Sequence, residues 1–588
     1  MQTGSKNEKR RVYFATLFLM SAIMFVFCNS FYWSYQEISK RKIFVGVIVF
    51  ICVVIVPILS VKLTFFYEFV KGCIQCVKSG IAKAKNSKKR ILSFVVIVIG
   101  AVGLAYIATN VISRYILHTT YNVRMFYLFV ALESVALFVG VAWKTAARKP
   151  ENIFLVVALI LGLFCIGVTP NKVGVSWDDQ IHYAKTLEIA NFCNGIMYDA
   201  DVKNIQHYVY VNRIGYDRQS DYEYTEDVET SYNAKECNAH EFSEYGVWSI
   251  AYIPSAIGIV LGRGLGLSYT GVFNMGRFFN LVMYIALIYL SIKKIKYGKV
   301  LVAAIGLIPT TIFMAANYSY DSWVIGFTIL GLAYFFSELQ EDTPLKNKNI
   351  LIMTGSILIG CLPKAIYFPL LFPLLFMPKR KFESVKQRKY YYLMIIGSGL
   401  LLLATFLVPM LISGPGAGDI RGGLDVNSTE QVDFILKNPL TYAKILFKFD
   451  LNYISFASSA PILQFFAYVG QGDFYSIVVI ILISLSFLDR GENEKNYALV
   501  KGAGVIGCAA AVILATTALY VSFTAVASDT VAGMSGRYLF PIIYPMLYSL
   551  GVGGTTHKIN RNAFVCVPMI IIALTFICNM SRLCVIHY

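Results

Sequence analysis

The chain has 588 residues, 57% of them hydrophobic and only 15% charged, with a formal charge of +18 at pH 7. Apolar runs of roughly 18 to 23 residues recur, each able to cross a hydrocarbon layer about 30 Å thick; they exclude an ordinary soluble protein and predict an all-α polytopic bundle of about 13–15 spans. The runs are continuous rather than alternating, which excludes a strand barrel, and the basic residues gather in short loops, as topology demands, so the charge does not point to nucleic acid.

The N-terminus, MQTGSKNEKRR, leads into a run over 12–33. The charge order is that of a signal peptide, but the run is long and lacks a small-residue cleavage site, so it reads as a retained first span. Further spans are expected near 43–66, 91–112, 123–143, 153–170, 272–292, 300–316, 322–337, 349–362, 365–377, 391–413, 474–488, 497–523, 538–556 and 563–583. Lys6, Lys9, Arg10 and Arg11 place the N-terminus in the cytoplasm, and the basic runs at 83–90, 144–149, 293–299 and 379–389 mark further cytoplasmic loops. Lys40, Arg41 and Lys42 run against this pattern.

The polar segment 171–246 then forms a large extracytoplasmic loop after the fifth span. Parity leaves one crossing between it and Lys293, so 246–267, with Trp248, Tyr252 and Pro254, reads as an interfacial or re-entrant helix. The loops 414–460 and 524–537 fall on the same outer face. Three parts follow: accessory helices over 1–150, a working unit over 151–560, and a C-terminal helix over 561–588. Of the 12 cysteines, most sit in apolar runs as small hydrophobes; Cys193 and Cys237 both lie in the outer loop, where a disulfide is compatible with an oxidising compartment.

The stretch SWDDQIHYAKTLEIA, Ser176 to Ala190, puts two carboxylates and a histidine at the membrane edge. Ser176 is expected to cap a helix starting at Trp177, with Asp179 at the third position of a capping box. Asp178 and His182 then share a face, and so do Asp179 and Tyr183. Such carboxylates act as a general base, hold a divalent cation (Mg2+ or Mn2+), or simply cap the helix. Asp321, after Tyr320, interrupts two apolar spans on the same face, as a supporting acid or an ordinary cap. Lys364 stands at a hairpin tip, as a phosphate ligand or a snorkelling cation. Arg537, beside Tyr538 and after Gly533 and Gly536, can grip a phosphate in bidentate fashion, and Arg277 opens another span; each can equally anchor to headgroups. The acidic, tyrosine-rich stretch 216–232 reads as a solvated segment or a carbohydrate contact. No Walker loop, GxSxG elbow or HExxH helix is present.

Five segments in order, SWDDQIHYAKTLEIA, GVFNMGRFFN, IPTTIFMAANYSYDS, LPKAIYFPLLFPLLFMPKRKF and GMSGRYLFPIIYP, resemble a bacterial multi-pass membrane family, the domain of unknown function 2142, over roughly 150–560. That family in turn resembles the GT-C glycosyltransferases. The resemblance implies transfer of a sugar from a polyprenyl-phosphate donor to an extracytoplasmic glycan, teichoic acid or protein. It implies that Asp178 or Asp179 orients or deprotonates the acceptor or holds a metal, with His182 beside it and Asp321, Tyr320 and Tyr538 in support. It further implies that Arg537, Lys364 and Arg277 neutralise the lipid phosphate. A flippase, or a polymerase of lipid-linked polysaccharide, is the competing expectation; a flippase needs polar residues along a midplane path.

Overall fold

The computed structural model describes residues 6–28, 40–63, 67–68, 70–72, 74–75, 88–192, 195–206, 209–213, 217–239, 247–414, 418–491, 495–551 and 560–585. The fold is an all-α polytopic bundle. Among the described residues, nine helices are long and apolar enough to cross a membrane, from Lys42–Lys62 to Arg561–Cys584. The remaining expected spans are shorter, broken, or reach into residues outside the described set.

The exceptions have local causes. The run 300–316 folds as two pieces, Lys299–Gly306 and Pro309–Ala315, buried throughout except at Lys299. Pro309 lacks an N–H and opens a new helix where the old one ends. The run 365–377 is a 3-10 helix, Ala365–Phe376, with Pro369 and Pro373 inside it. The stretch 246–267 becomes a 3-10 turn, Val247–Tyr252, followed by the helix Ile253–Gly264. Twelve residues rise only about 18 Å, short of a crossing. This helix lies tightly on Tyr269–Lys294, because Gly258 has no side chain: a Cβ there would stand 2.2 Å from the Met275 carbonyl oxygen.

The insert after Pro150–Val168 is folded. It carries Asp179–Ala190, Asp199–Gln206 and Arg218–Ala234, and a two-stranded antiparallel ribbon in which Ile196 pairs with Ala239. Its core is aromatic, built on Tyr183, Tyr269, Phe273 and Tyr318. Arg263 pairs with Asp201 at 2.6 Å, and the Tyr183 hydroxyl donates to the same carboxylate at 2.7 Å. The acids of 216–232 serve the fold in different ways. Glu229 accepts from the Tyr269 and Thr270 amides at 2.9 and 2.8 Å, capping the next span, and Asp221 pairs with Arg124 of the N-terminal helices. Arg561–Met580 packs inside the bundle; Asn579 and Thr575 both hydrogen-bond Gln464. Cys193 lies outside the described residues, so a Cys193–Cys237 pairing does too.

Candidate functional site

The helix that carries the acidic pair starts at Asp179, two residues later than the capping-box reading expects. Ser176 does not cap it: its hydroxyl is buried without a partner. Instead the chain turns back, and Asp179 accepts from three consecutive amides: Gly174 at 2.9 Å, Val175 at 3.0 Å and Ser176 at 2.8 Å. Burial drives this carboxyl up, to about 6, while the three amides pull it down. It is a carboxylate at pH 7 with its oxygens occupied by the backbone, an anchor for the turn that presents its neighbour.

That neighbour is Asp178, held at φ +51°, a left-handed conformation that aspartate and asparagine tolerate better than most residues. The turn points its carboxylate away from the amides and toward cations. Oδ2 meets Arg537 at 2.5 Å and Oδ1 meets Arg421 at 3.1 Å. Burial raises this carboxyl, but Arg537, His182 and Arg421 outweigh it and hold the group below the ordinary aspartate value.

Arg537 links this turn to the second acid. Its other nitrogen stands 3.7 Å from Asp321, which accepts from Lys364 at 2.7 Å. The Lys364 ammonium lies over two rings, Tyr538 at 4.1 Å and Tyr320 at 4.9 Å, and Arg537 lies 5.8 Å from the centre of Trp177. These ring faces attract the cations and keep bulk water off them. The arginine sits on a pinned loop. Tyr453 donates to the Ser535 carbonyl at 2.8 Å and Tyr367 to the Tyr538 carbonyl at 2.9 Å. A Cβ on Gly536 would meet Ile462 at 2.2 Å, and one on Gly533 would meet Phe523 at 2.5 Å, at a φ of +76°.

His182 faces the same cluster. Nδ1 is 3.0 Å from the Tyr252 hydroxyl, and the ring stands edge-on to Tyr320. Nε2 is buried with no partner. Burial, with help from Arg537, lowers its pKa to about 4, so the ring is neutral at pH 7.

The ordered segments that bear these groups match one family model, described as predicted membrane protein (DUF2142), over residues 159–546. The chain belongs to this DUF2142 family. No curated protein and no solved structure matches it. Membership makes it a multi-pass membrane protein in contact with lipid.

Within the DUF2142 region, then, the structure gathers Asp178, His182, Tyr320, Asp321, Lys364, Arg537 and Tyr538. It leaves two expected residues out. Asp179 is spent on the backbone. Arg277 is buried and binds the Thr169 hydroxyl at 2.6 Å, the Pro170 carbonyl at 3.2 Å and Asn317, so it clamps the end of Pro150–Val168 and does not join the charged cluster. A divalent cation does not fit this donor set as arranged. Arg537 occupies the space between Asp178 and Asp321, and Lys364 already neutralises the latter. Among the described residues no three metal-binding side chains converge.

Arg421 is the residue that sequence reasoning missed. It lies in the short turn Ile420–Gly422 of the expected 414–460 loop, the rest of which is largely the helices Ser428–Lys437 and Pro439–Ile454; it is gripped by Asp419 at 2.6 Å, whose own amide donates to the Ser522 carbonyl at 2.7 Å. The only local signal is the Asp-Ile-Arg spacing, which many surface turns share.

Beside the charged cluster runs an apolar groove of about 980 Å³ between Pro439–Ile454, Tyr475–Leu488, Ala498–Ser522 and Phe540–Leu550. Its lining includes Ile462, which packs on Gly536, and Leu539, two residues beyond Arg537. The groove does not contain the charged groups; Leu539 and Ile462 are its wall residues nearest to Arg537 in the chain and in packing. One carboxylate, Asp450, lies on its wall, near the Thr516 hydroxyl at 3.4 Å.

Proposed function

We propose that this protein is a membrane glycosyltransferase that moves a sugar from a polyprenyl-phosphate donor to an extracytoplasmic envelope acceptor, a glycan, teichoic acid or protein. What carries the reading is the position of Arg537. It is nearly buried between two carboxylates, with Lys364 alongside, and the residues around it in the chain, Gly536 through Ile462 and Leu539 directly, adjoin a groove lined by apolar side chains. An isoprenoid phosphate needs that combination: a hydrocarbon channel for its tail and a cationic cradle for its head.

In the proposed step the acceptor oxygen bonds to the anomeric carbon as the bond from that carbon to the phosphate oxygen breaks. The electron pair leaves on the lipid phosphate, and Arg537 and Lys364 meet the charge that develops there. The acceptor proton passes to Asp178. Donor phosphate displaces Asp178 from Arg537, and the loss of that partner lets burial raise the carboxyl, so the base strengthens when the donor is in place. Asp321 keeps Lys364 pointed into the cradle, and neutral His182 offers Nε2 to a sugar or acceptor hydroxyl. The site faces outward and the N-terminus inward on this reading.

The test uses the full chain in proteoliposomes with a radiolabelled polyprenyl-phosphate sugar and a crude envelope acceptor. Asp178→Asn is expected to cut label transfer by about a hundredfold, within the range that one general base supplies, while protein level and melting midpoint hold. Arg537→Gln is expected to raise the donor KM as well as lower kcat. Transfer by Asp178→Asn at the wild-type rate overturns the proposal. Movement of the labelled lipid between leaflets without bond cleavage assigns the flippase instead.

A further inference from the structure

A second cavity, of about 570 Å³, lies far from the charged cluster and is lined by Lys379, Arg388, Lys389, Tyr392, Leu393 and Ile396. Its place follows from the hairpin that carries Lys364. Asn347–Cys361 runs toward Lys364, and Ala365–Phe376 returns to Lys379. The return is closed by hydrogen bonds from the Leu345 amide to the Lys381 carbonyl, 2.7 Å, and from Gln387 to the Leu345 carbonyl, 2.6 Å. A helix of fifteen residues rises about 22 Å, and Val385–Ser413, which starts beside the cavity, is long and apolar enough to cross a membrane, so the cavity lies at the other end of the hairpin from the candidate site.

The geometry points to a binding site for an anionic phospholipid, with Lys379, Arg388 and Lys389 on the headgroup phosphate and Leu393 and Ile396 along the acyl chain. This inference does not rest on the transferase reading. Four observations carry it.

The first is that the cations are not used by the protein. In the same basic run, Arg380 pairs with Asp342 at 3.6 Å and donates to Tyr497 at 2.6 Å, and Lys381 is buried on the Glu341 and Thr343 carbonyls at 3.0 and 2.6 Å. Lys379, Arg388 and Lys389 have no such partner among the described residues, and Glu383, the nearest acid in sequence, forms no ion pair with them. Three like charges that share one cavity repel each other unless an anion joins them.

The second is helix polarity. Arg388 and Lys389 stand near the start of Val385–Ser413, whose first turn contains no acid. The N-terminal end of a helix carries partial positive charge and favours anions, so basic residues there add to the repulsion that an anion relieves. The third is the outer wall. Leu393 and Ile396 are 69% and 53% exposed on a helix long and apolar enough to cross a membrane, so they face lipid directly below the cations. The fourth is Tyr392, between the two zones: its hydroxyl donates to the Leu375 carbonyl at 3.3 Å, which fixes the ring as an amphipathic wall at the headgroup level. A soluble phosphate would need only the cations; the adjoining apolar wall selects a phosphate that carries a chain.

The purified full chain is equilibrated with vesicles of equal phosphatidylglycerol and phosphatidylcholine of one acyl composition. Retained lipid is counted by native mass spectrometry after detergent exchange. Wild type is expected to retain phosphatidylglycerol preferentially. Juxtamembrane cations each contribute roughly fivefold in affinity, so Lys379→Gln/Arg388→Gln/Lys389→Gln is expected to lower phosphatidylglycerol occupancy by at least tenfold with phosphatidylcholine unchanged. Arg388→Gln alone gives about a fivefold loss and serves if the triple variant elutes poorly. Lys346→Gln/Lys348→Gln removes charge at the same end of the molecule but outside the cavity, and is expected to change nothing. Equal retention by wild type and the triple variant overturns the proposal. So does an equal loss in the Lys346/Lys348 control, which marks diffuse attraction, and so does full displacement of lipid by millimolar inorganic phosphate, which marks a free-anion site.

Discussion

Replacing each member of the Asp178–Asp179 doublet in turn separates anchor from chemistry. Asp179→Ala deletes the acceptor of three buried amides, those of Gly174, Val175 and Ser176. A buried donor left without a partner costs about 1–3 kcal/mol, so three cost on the order of 3–9 kcal/mol, a large part of the roughly 5–15 kcal/mol that holds a typical domain together. Asp179→Asn retains one carbonyl oxygen. Placed at Oδ2 it keeps the Val175 and Ser176 bonds and turns its NH2 group against the Gly174 amide, a loss of about 1–3 kcal/mol. Asp178→Asn behaves differently. Its side chain is 31% exposed, its left-handed backbone suits asparagine, the amide oxygen still accepts from Arg537, and its NH2 turns toward Arg421, which is half exposed and keeps Asp419, so the change costs about 1 kcal/mol. The assay is the thermal unfolding midpoint of the detergent-solubilised chain at pH 7.5. The expected order of stability is wild type close to Asp178→Asn, then Asp179→Asn, then Asp179→Ala. A melting midpoint for Asp179→Ala equal to wild type, or a lower one for Asp178→Asn than for Asp179→Asn, refutes the division of roles.

Two further outcomes follow from packing and protonation. Gly258→Ala forces a Cβ to within 2.2 Å of a backbone oxygen on Tyr269–Lys294, which has no rotamer to move aside. A loss of about 1–3 kcal/mol is expected, read as a lower unfolding midpoint together with faster proteolysis of the 171–246 insert, since Arg263 on the same helix anchors Asp201. His182 is neutral in the fold, and its pKa of about 4 lies below the ordinary 6.5. The unfolded chain therefore binds the proton first: this group's contribution is full above pH 6.5 and is lost as pH falls toward 4, on the order of 3 kcal/mol over that window. His182→Gln should flatten the stability profile between pH 6.5 and 4; an unchanged slope places the titration elsewhere.

The parts of this molecule that announce themselves in sequence are those whose physics is local or one-dimensional. An apolar run of bilayer length needs no partner to be recognised, and Tyr269–Lys294 and Asp321–Gln340 lie within a few residues of where the hydropathy puts them. A proline is a weaker guide: Pro57, Pro409 and Pro568 lie inside continuous helices, whereas Pro309 starts a new one, and that break is hidden because apolar residues continue on both sides. Charged groups are different. Arg277 and Arg537 open spans with similar surroundings, a glycine just before and aromatics just after, but one is consumed by Thr169, Pro170 and Asn317 and the other is turned to Asp178 and Asp321. The difference lies in what the fold brings from far along the chain, 40 to 108 residues away for Arg277 and 359 for the Arg537–Asp178 contact. The acidic doublet makes the same point at shortest range. Adjacent aspartates look equivalent as letters; a turn at a left-handed residue sends one carboxylate back onto three amides and leaves the other for the cations. Arg421 is the limiting case, because its contact with Asp178 crosses 243 positions and its own loop holds it through Asp419. Electrostatic sites in a membrane are assembled from span ends, and span ends are where sequence distance says least about spatial distance. A cradle of this kind therefore becomes visible only when every cation has been assigned either a partner in the protein or none.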